Sequence, residues 1–243
     1  MIKNPKRWHS RLGLYIFFAG LLLGMFLAGM LTWANLEAAM FYAIPDSSAQ
    51  ALENLRCPIL LNRHETGVVS ATFANPSDRA RRRTVDAYIS HGFVVSMREE
   101  RARFDLEPGA KYTVEWPISP QDAVWGRFIL VRLYVQRNLP LPARTGSCGV
   151  LVVDLPFGTG AQIAGVTIGA SLLLMASGAA LWLTSAKSLH QHLRHVDYMT
   201  LALAPMVILA LVFSAVGGSG GWSGLLLLLT FLLIVSIVTW ALS

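Results

Sequence analysis

Cys57 and Cys148 are the only cysteines in the chain, and two thiols so far apart can either close a disulfide or stay buried and unreacted. Three of the six histidines gather in His190-Gln191-His192-Leu193-Arg194-His195. Imidazoles at that density could hold a metal, but no cysteine or acid completes a ligand spacing there, so a solvated loop is expected. The densest charge run is Arg79-Ala80-Arg81-Arg82-Arg83. It could grip an acidic partner or anionic headgroups, or serve as charge that keeps a strand edge from pairing with another chain. Asn75-Pro76-Ser77 is no glycosylation acceptor, because proline fills the middle position. Glu99-Glu100 and Glu107 sit in ordinary alternating or turn contexts. Nucleophile-elbow, phosphate-loop and zinc-protease signatures are absent. No catalytic residue, cofactor site or metal site is therefore assigned, and a non-catalytic protein is expected.

The elements that would position these residues follow from hydropathy. Of the 243 residues 54% are hydrophobic and 14% charged, against about 25% charged in an average soluble domain, and mean hydropathy is +0.51. Four runs approach the about 20 apolar residues that span a bilayer core: 12–34 (Leu12 to Ala34), 158–184 (Gly158 to Thr184), 196–216 (Val196 to Val216) and 222–243 (from Trp222). The first is far longer than the roughly 7–15-residue core of a signal peptide, so it is expected to stay as an anchor. None of the runs carries an internal carboxylate, base or histidine, which disfavours a proton path, a carrier or a haem held between spans. Asp197 sits at the mouth of the third run as a helix cap, and Pro205 would kink that helix.

Orientation follows from basic residues in short segments. The tail 1–11 holds Lys3, Lys6, Arg7 and Arg11 with no acid, and the loop 185–195 holds Lys187 and Arg194 with none either. The glycine turn 217–221 is uncharged. Both termini are expected on the cytoplasmic side of a bacterial-type plasma membrane, with residues 35–157 (Asn35 to Phe157) and the glycine turn outside. Basic and acidic residues nearly balance in 35–157, so the net charge of +6 sits on the inner face. That is a topology signal, and no nucleic-acid partner is implied.

Within 35–157 the side chains alternate with period two: Val69, Ala71 and Phe73; Val85, Ala87 and Ile89; Tyr112, Val114 and Trp116; and Ile129, Val131, Leu133 and Val135. Such strands bury one face and wet the other. Turn chemistry separates them at Asn75-Pro76-Ser77-Asp78, Glu107-Pro108-Gly109 and Leu139-Pro140-Leu141-Pro142. With Cys57 to Leu61, Arg101 to Leu106 and Ser147 to Asp154, about seven strands suit an immunoglobulin-like sandwich. The expected fold class is four transmembrane helices with an all-β sandwich inserted between the first two.

The stretch Val69 to Asp78, with its Thr72-Phe73-Ala74-Asn75-Pro76-Ser77-Asp78 strand end, and the turn Leu106-Glu107-Pro108-Gly109 before a strand resemble bacterial extracytoplasmic CARDB-like and fibronectin-III-like modules. The resemblance covers about 90 residues, implies a sandwich with a binding or spacer role, and brings no catalytic residue with it. In such a sandwich the first and last strands can be neighbours, so Cys57 and Cys148 are expected to bond in an oxidising compartment; two buried thiols are the alternative. Gly20, Gly24 and Ala28 in the first run, and Ala161, Gly165 and Gly169 in the second, recur at every fourth position and let helices approach closely, within the chain or against a partner. The expected role is an accessory, assembly or scaffold subunit, whose partners are the lipid bilayer and one or more membrane proteins. The alternatives are a transporter or channel component, and a membrane-bound receptor or enzyme with a ligand pocket in the sandwich.

Overall fold

A computed structural model of the chain describes residues 5–41, 48–52, 54–92, 96–139, 141–188, 195–216 and 220–242. Four helices, α1 (Pro5–Met40), α2 (Gly160–Ser188), α3 (His195–Val216) and α4 (Gly220–Leu242), lie towards the two ends of the chain around nine strands. The chain divides into a helical unit (Met1–Met30, Ala164–Ala215, Gly221–Ser243) and a sandwich unit (Leu31–Ile163, with Val216–Gly220).

The fold class expected from sequence needs two corrections. Over Trp8–Met40 and Gly160–Thr184 the described helices are long and apolar enough to cross a membrane, whereas Thr200–Ala215 and Trp222–Ile237 fall in the 10–17-residue range. Among the described residues two helices of membrane length and apolarity stand where four spans were expected. The all-β sandwich that was expected is also built on a mixed sheet, in which two short strands run parallel to the last one.

In the helical unit, glycines let backbones meet. A Cβ on Gly20 would strike Ser171 and Met175, and one on Gly178 would strike Gly13 and Phe17. The Ser171 hydroxyl donates to the Gly20 carbonyl at 2.8 Å, which satisfies a polar group that lipid could not. Gly24 meets both Ser171 and Val207, and Leu203, Val207 and Ala210 of α3 are buried.

The sandwich unit has two sheets. The larger orders β1 (Gln50–Ala51), β9 (Arg144–Val153), β8 (Phe128–Val135), β5 (Arg81–His91) and β6 (Ser96–Leu106), with β3 (Leu60–Asn62) also on β9. The smaller orders β2 (Leu55–Arg56), β4 (Gly67–Ala74) and β7 (Lys111–Ile118). The first strand expected from sequence, Cys57 to Leu61, is strand only from Leu60 onward, as β3, and the two-residue β2 precedes it. Cys57-Pro58 lies between the two, since proline cannot donate to a ladder, and the chain leaves the smaller sheet at β2 and joins the larger at β3. Cys57 and Cys148 of β9 are bonded across that crossing.

Val69, Ala71, Phe73, Trp116, Val85, Ile89, Ile129, Val131 and Leu133 close into one core between the sheets, so the period-two faces pack as expected except at Tyr112, which is exposed. β5 and β8, however, are buried on both faces: Tyr88, Ser90, Phe128 and Leu130 are covered as well. Within this unit the end of α1, Leu31 to Met40, supplies cover for the outer face. The Asn35 side chain accepts a hydrogen bond from Gly149 N–H at 3.0 Å, and Gly149 lies directly against the Ala34 backbone, where any Cβ would clash. Arg132 on β8 donates to the Ala39 carbonyl in the last turn of α1, supplying a donor and a positive charge to an otherwise unsatisfied helix end. Burial holds the Arg132 guanidinium below its usual pKa range.

The exit from the sandwich is held as firmly. Buried Asn62 donates to the carbonyls of Leu155 and Gly158 at 2.9 and 2.8 Å, and accepts from Leu155 N–H at 3.3 Å. The Glu65 carboxylate accepts from Asn62 N–H and from Gly160 N–H, the first residue of α2. Thr159 and Gln162 exchange a reciprocal cap at the same helix start, and together these groups satisfy donors that the first turn leaves free.

The Cys57–Cys148 bond closes a separation of 91 residues, for which the chain-entropy estimate gives about 4–5 kcal/mol of stabilisation. The double variant Cys57→Ser/Cys148→Ser is expected to lose about that much in chemical denaturation of the sandwich, while a reducing agent should shift the wild type alone.

Candidate functional site

The basic run does not form one surface. Arg79 and Arg82 are exposed, whereas Arg83, on the register of Val85 and Ala87, is only 6% exposed. Strand alternation causes this: β5 begins at Arg81, so every second arginine is turned towards the space between the sheets. Arg82 pairs with Asp105 directly across the ladder, Nε and Nη2 donating at 2.9 and 3.4 Å. Hydrogen bonding and then charge raise the Arg82 pKa, and the same hydrogen bond to Arg82 holds Asp105 below the usual carboxylate range. Arg81 donates to the Leu139 carbonyl at 3.3 Å. Arg83 has a buried Nη1 with no hydrogen-bond partner.

The two turn motifs are drawn together at the same end of the sandwich, and Asn75 joins them. Its side-chain amide donates to the carbonyls of Arg79 and Leu106 at 2.8 and 2.9 Å, and more weakly to Glu107. Its Oδ1 accepts from Ser77 N–H and Oγ. Gly109, at φ +70°, lets the Glu107-Pro108-Gly109 turn fold back so that its N–H reaches the Asn75 carbonyl. The motif residues that carry the sequence resemblance therefore do structural work, tying the end of β4 to the β6–β7 turn.

Two further polar groups are buried. Asp86, on the outer face of β5, accepts from Arg101 at 2.5 Å and Gln136 at 2.8 Å. The hydrogen bond to Asp86, then its charge, raises the Arg101 pKa. At the opposite end of β5, Asp122 accepts from Ser119 N–H at 2.8 Å and contacts His91 and Arg98. Both clusters satisfy a buried carboxylate with neighbouring cations, as burial requires. Sequence reasoning assigned neither Asp86 nor Asp122 a role, nor Asn35, Asn62 or Gly149; each acts through a partner more than 14 residues away or across a strand pair, and no local motif marks it.

Glu99 lies on edge strand β6 and pairs with Arg101 at 3.0 Å, while Glu100 pairs with Arg98. Of the small-residue stripes, Gly20 and Gly24 meet other helices and Ala28 is buried. A Cβ on Gly165 or Gly169 would meet open space, and Ala161 is exposed. His190 and His192 fall outside the described residues, as do the side chains of His195 and Asp197 and most of the glycine turn. Among the described residues no group of three or more His, Cys, Asp or Glu could hold a metal ion.

No family model matches the chain, and no curated protein matches it. Solved structures resemble part of the chain. The β-glucosidase of Listeria innocua in complex with gluconolactone is 19% identical with a TM-score of 0.29, covering 40% of this chain and 15% of its own. A cycloisomaltooligosaccharide glucanotransferase of Paenibacillus sp. is 12% identical with a TM-score of 0.32, over 43% of this chain and 14% of its own. This chain thus spans about a seventh of the length of either enzyme. The CARDB domain of the PF1109 protein from Pyrococcus furiosus, solved with di-metal ions, is 13% identical with a TM-score of 0.30, over 46% of this chain and 100% of its own.

Replacing Asn75 with alanine leaves the carbonyls of Arg79 and Leu106 without their donor; the expected loss is about 2–4 kcal/mol, read from urea unfolding at constant m. The Arg82–Asp105 pair has a testable pH signature. A depressed carboxylate pKa contributes stability above the unfolded value, and that contribution disappears as pH falls through the folded value. Arg82→Ala should return the Asp105 pKa upward towards its ordinary value in an NMR titration and flatten the acid limb of the stability profile.

Proposed function

We propose that the chain is a non-catalytic membrane protein that holds its sandwich outside the cytoplasm as a docking or bracing module for a larger membrane complex. One observation carries the reading: polar contacts tie the sandwich into a helix end on each side. Asn35 and Arg132 fix the end of α1 to the sheet, and Asn62 and Glu65 fix the start of α2. A module joined by free linkers would need none of these bonds. Both helices have the length and apolarity to cross a membrane.

The charge pattern supports the orientation. Lys3, Lys6, Arg7 and Arg11 precede α1, and Lys187 and Arg194 follow the apolar part of α2, which favours both ends on the cytoplasmic side and the sandwich opposite. The cysteine bond suits an oxidising compartment. Exposed Phe26, Leu173, Phe231 and Leu232 on the helical unit call for cover by lipid or by another protein's helices. The sandwich can present loops and strand edges to a partner, with β6 as one long edge; its alternating charges would suppress promiscuous pairing.

Purification in mild detergent followed by native mass spectrometry is expected to show a stoichiometric membrane-protein partner. A lone monodisperse monomer, together with a membrane-impermeant maleimide that fails to label a Glu115→Cys variant in intact spheroplasts, would overturn both the partner and the placement.

A further inference from the structure

We propose that the open end of the sandwich is a binding site for a phosphate-type dianion, held by Arg83 and Arg144 between the two sheets. This stands on the pocket alone and does not depend on the docking role. A cavity of about 170 Å³ opens there, with Leu52, Asn54, Phe73, Arg83, Val135 and Arg144 in its wall. Arg83 enters it from the core-facing register of β5, and Arg144 enters from the first position of β9. Nη1 of Arg83 and Nε of Arg144 are buried with no hydrogen-bond partner. No carboxylate lines the cavity among the described residues.

That arrangement is costly as it stands. A buried guanidinium normally carries a carboxylate with it; elsewhere in this sandwich the buried ions are the carboxylates Asp86 and Asp122, each paired with a partly exposed arginine, Arg101 or Arg98. Here burial, and then the charge of Arg144, push the Arg83 pKa down, so two like charges share one desolvated space. An anion entering the cavity would relieve the repulsion and supply the missing acceptors. Guanidinium forks suit planar or tetrahedral oxyanions, which accept two parallel hydrogen bonds. Two facing cations favour a double charge over a single one. The approach is basic too: an adjoining cavity of about 180 Å³ shares Asn54 and Thr72 and adds Arg56 and Lys111, which would steer anions towards the pair. The apolar wall from Leu52, Phe73 and Val135 leaves room for the first carbons of a phosphate ester.

The test uses the full chain in detergent at fixed pH and ionic strength. Replacing sodium chloride by 10 mM-range inorganic phosphate should raise the unfolding midpoint by about 3 °C, and Arg83→Gln or Arg144→Gln should abolish the shift. Broadening of the phosphate ³¹P resonance by the wild type, reduced at least tenfold in affinity for Arg83→Lys, separates fork recognition from charge alone and covers the case in which Arg83→Gln does not fold. A shift no larger than chloride gives, one that survives both substitutions, or one that acetate reproduces, would overturn the proposal. Glycerol phosphate and nanodiscs of phosphatidylcholine with or without phosphatidic acid distinguish the source. Arg83-dependent stabilisation by the soluble ester alone identifies a free phosphate compound, and by phosphatidic acid a lipid headgroup; either supports the site.

Discussion

The sandwich depends on the contact between the end of α1 and β9. Gly149 has no side chain, so the Ala34 backbone can lie against the strand, and Asn35 closes the approach with a hydrogen bond to the Gly149 N–H. A sheet needs both faces provided for, in water or in protein. The smaller sheet covers one face of the larger, and this helix end lies on the other. Because of it β8 can carry apolar side chains on both sides, with Phe128 and Leu130 buried where a wet face would otherwise lie.

Much of the sandwich was legible in sequence because period-two alternation is a direct record of burial. Val69, Ala71 and Phe73, and Ile129 through Val135, alternate as a strand with one core face must. The turns were equally readable, since proline, glycine and asparagine have few other uses in such runs. The outer faces were not legible. Phe128 and Leu130 look like a departure from alternation unless one knows that α1 continues past Ala34 to Met40, and the apolar count offers no marker of where a helix leaves one environment for another. The four-span expectation came from the apolar count alone, and among the described residues two helices meet the length and apolarity of a span.

Sites followed the same division. The arginine run stood out as charge density, but sequence alone could not show that strand alternation separates Arg82, which faces solvent and Asp105, from Arg83, which faces the interior. Asn62, Asp86 and Asp122 were invisible because their partners are assembled by the fold. Asn75 was visible as part of a turn motif, and the geometry shows why asparagine is needed: one side chain both donates to a loop carbonyl and a strand-end carbonyl and accepts from Ser77.

The parallel pairing of β3 and β1 with β9 has a mechanical corollary. The chain enters the module before these strands and leaves it after β9, so tension applied between entry and exit slides neighbouring strands lengthwise past each other. The Cys57–Cys148 bond joins the chain between β1 and β3 covalently to β9, so the pull passes through it and bypasses the chain between the two cysteines. A module stretched by separation of its two flanking helices would therefore keep residues 58–147 off the load path for as long as that bond stays oxidised.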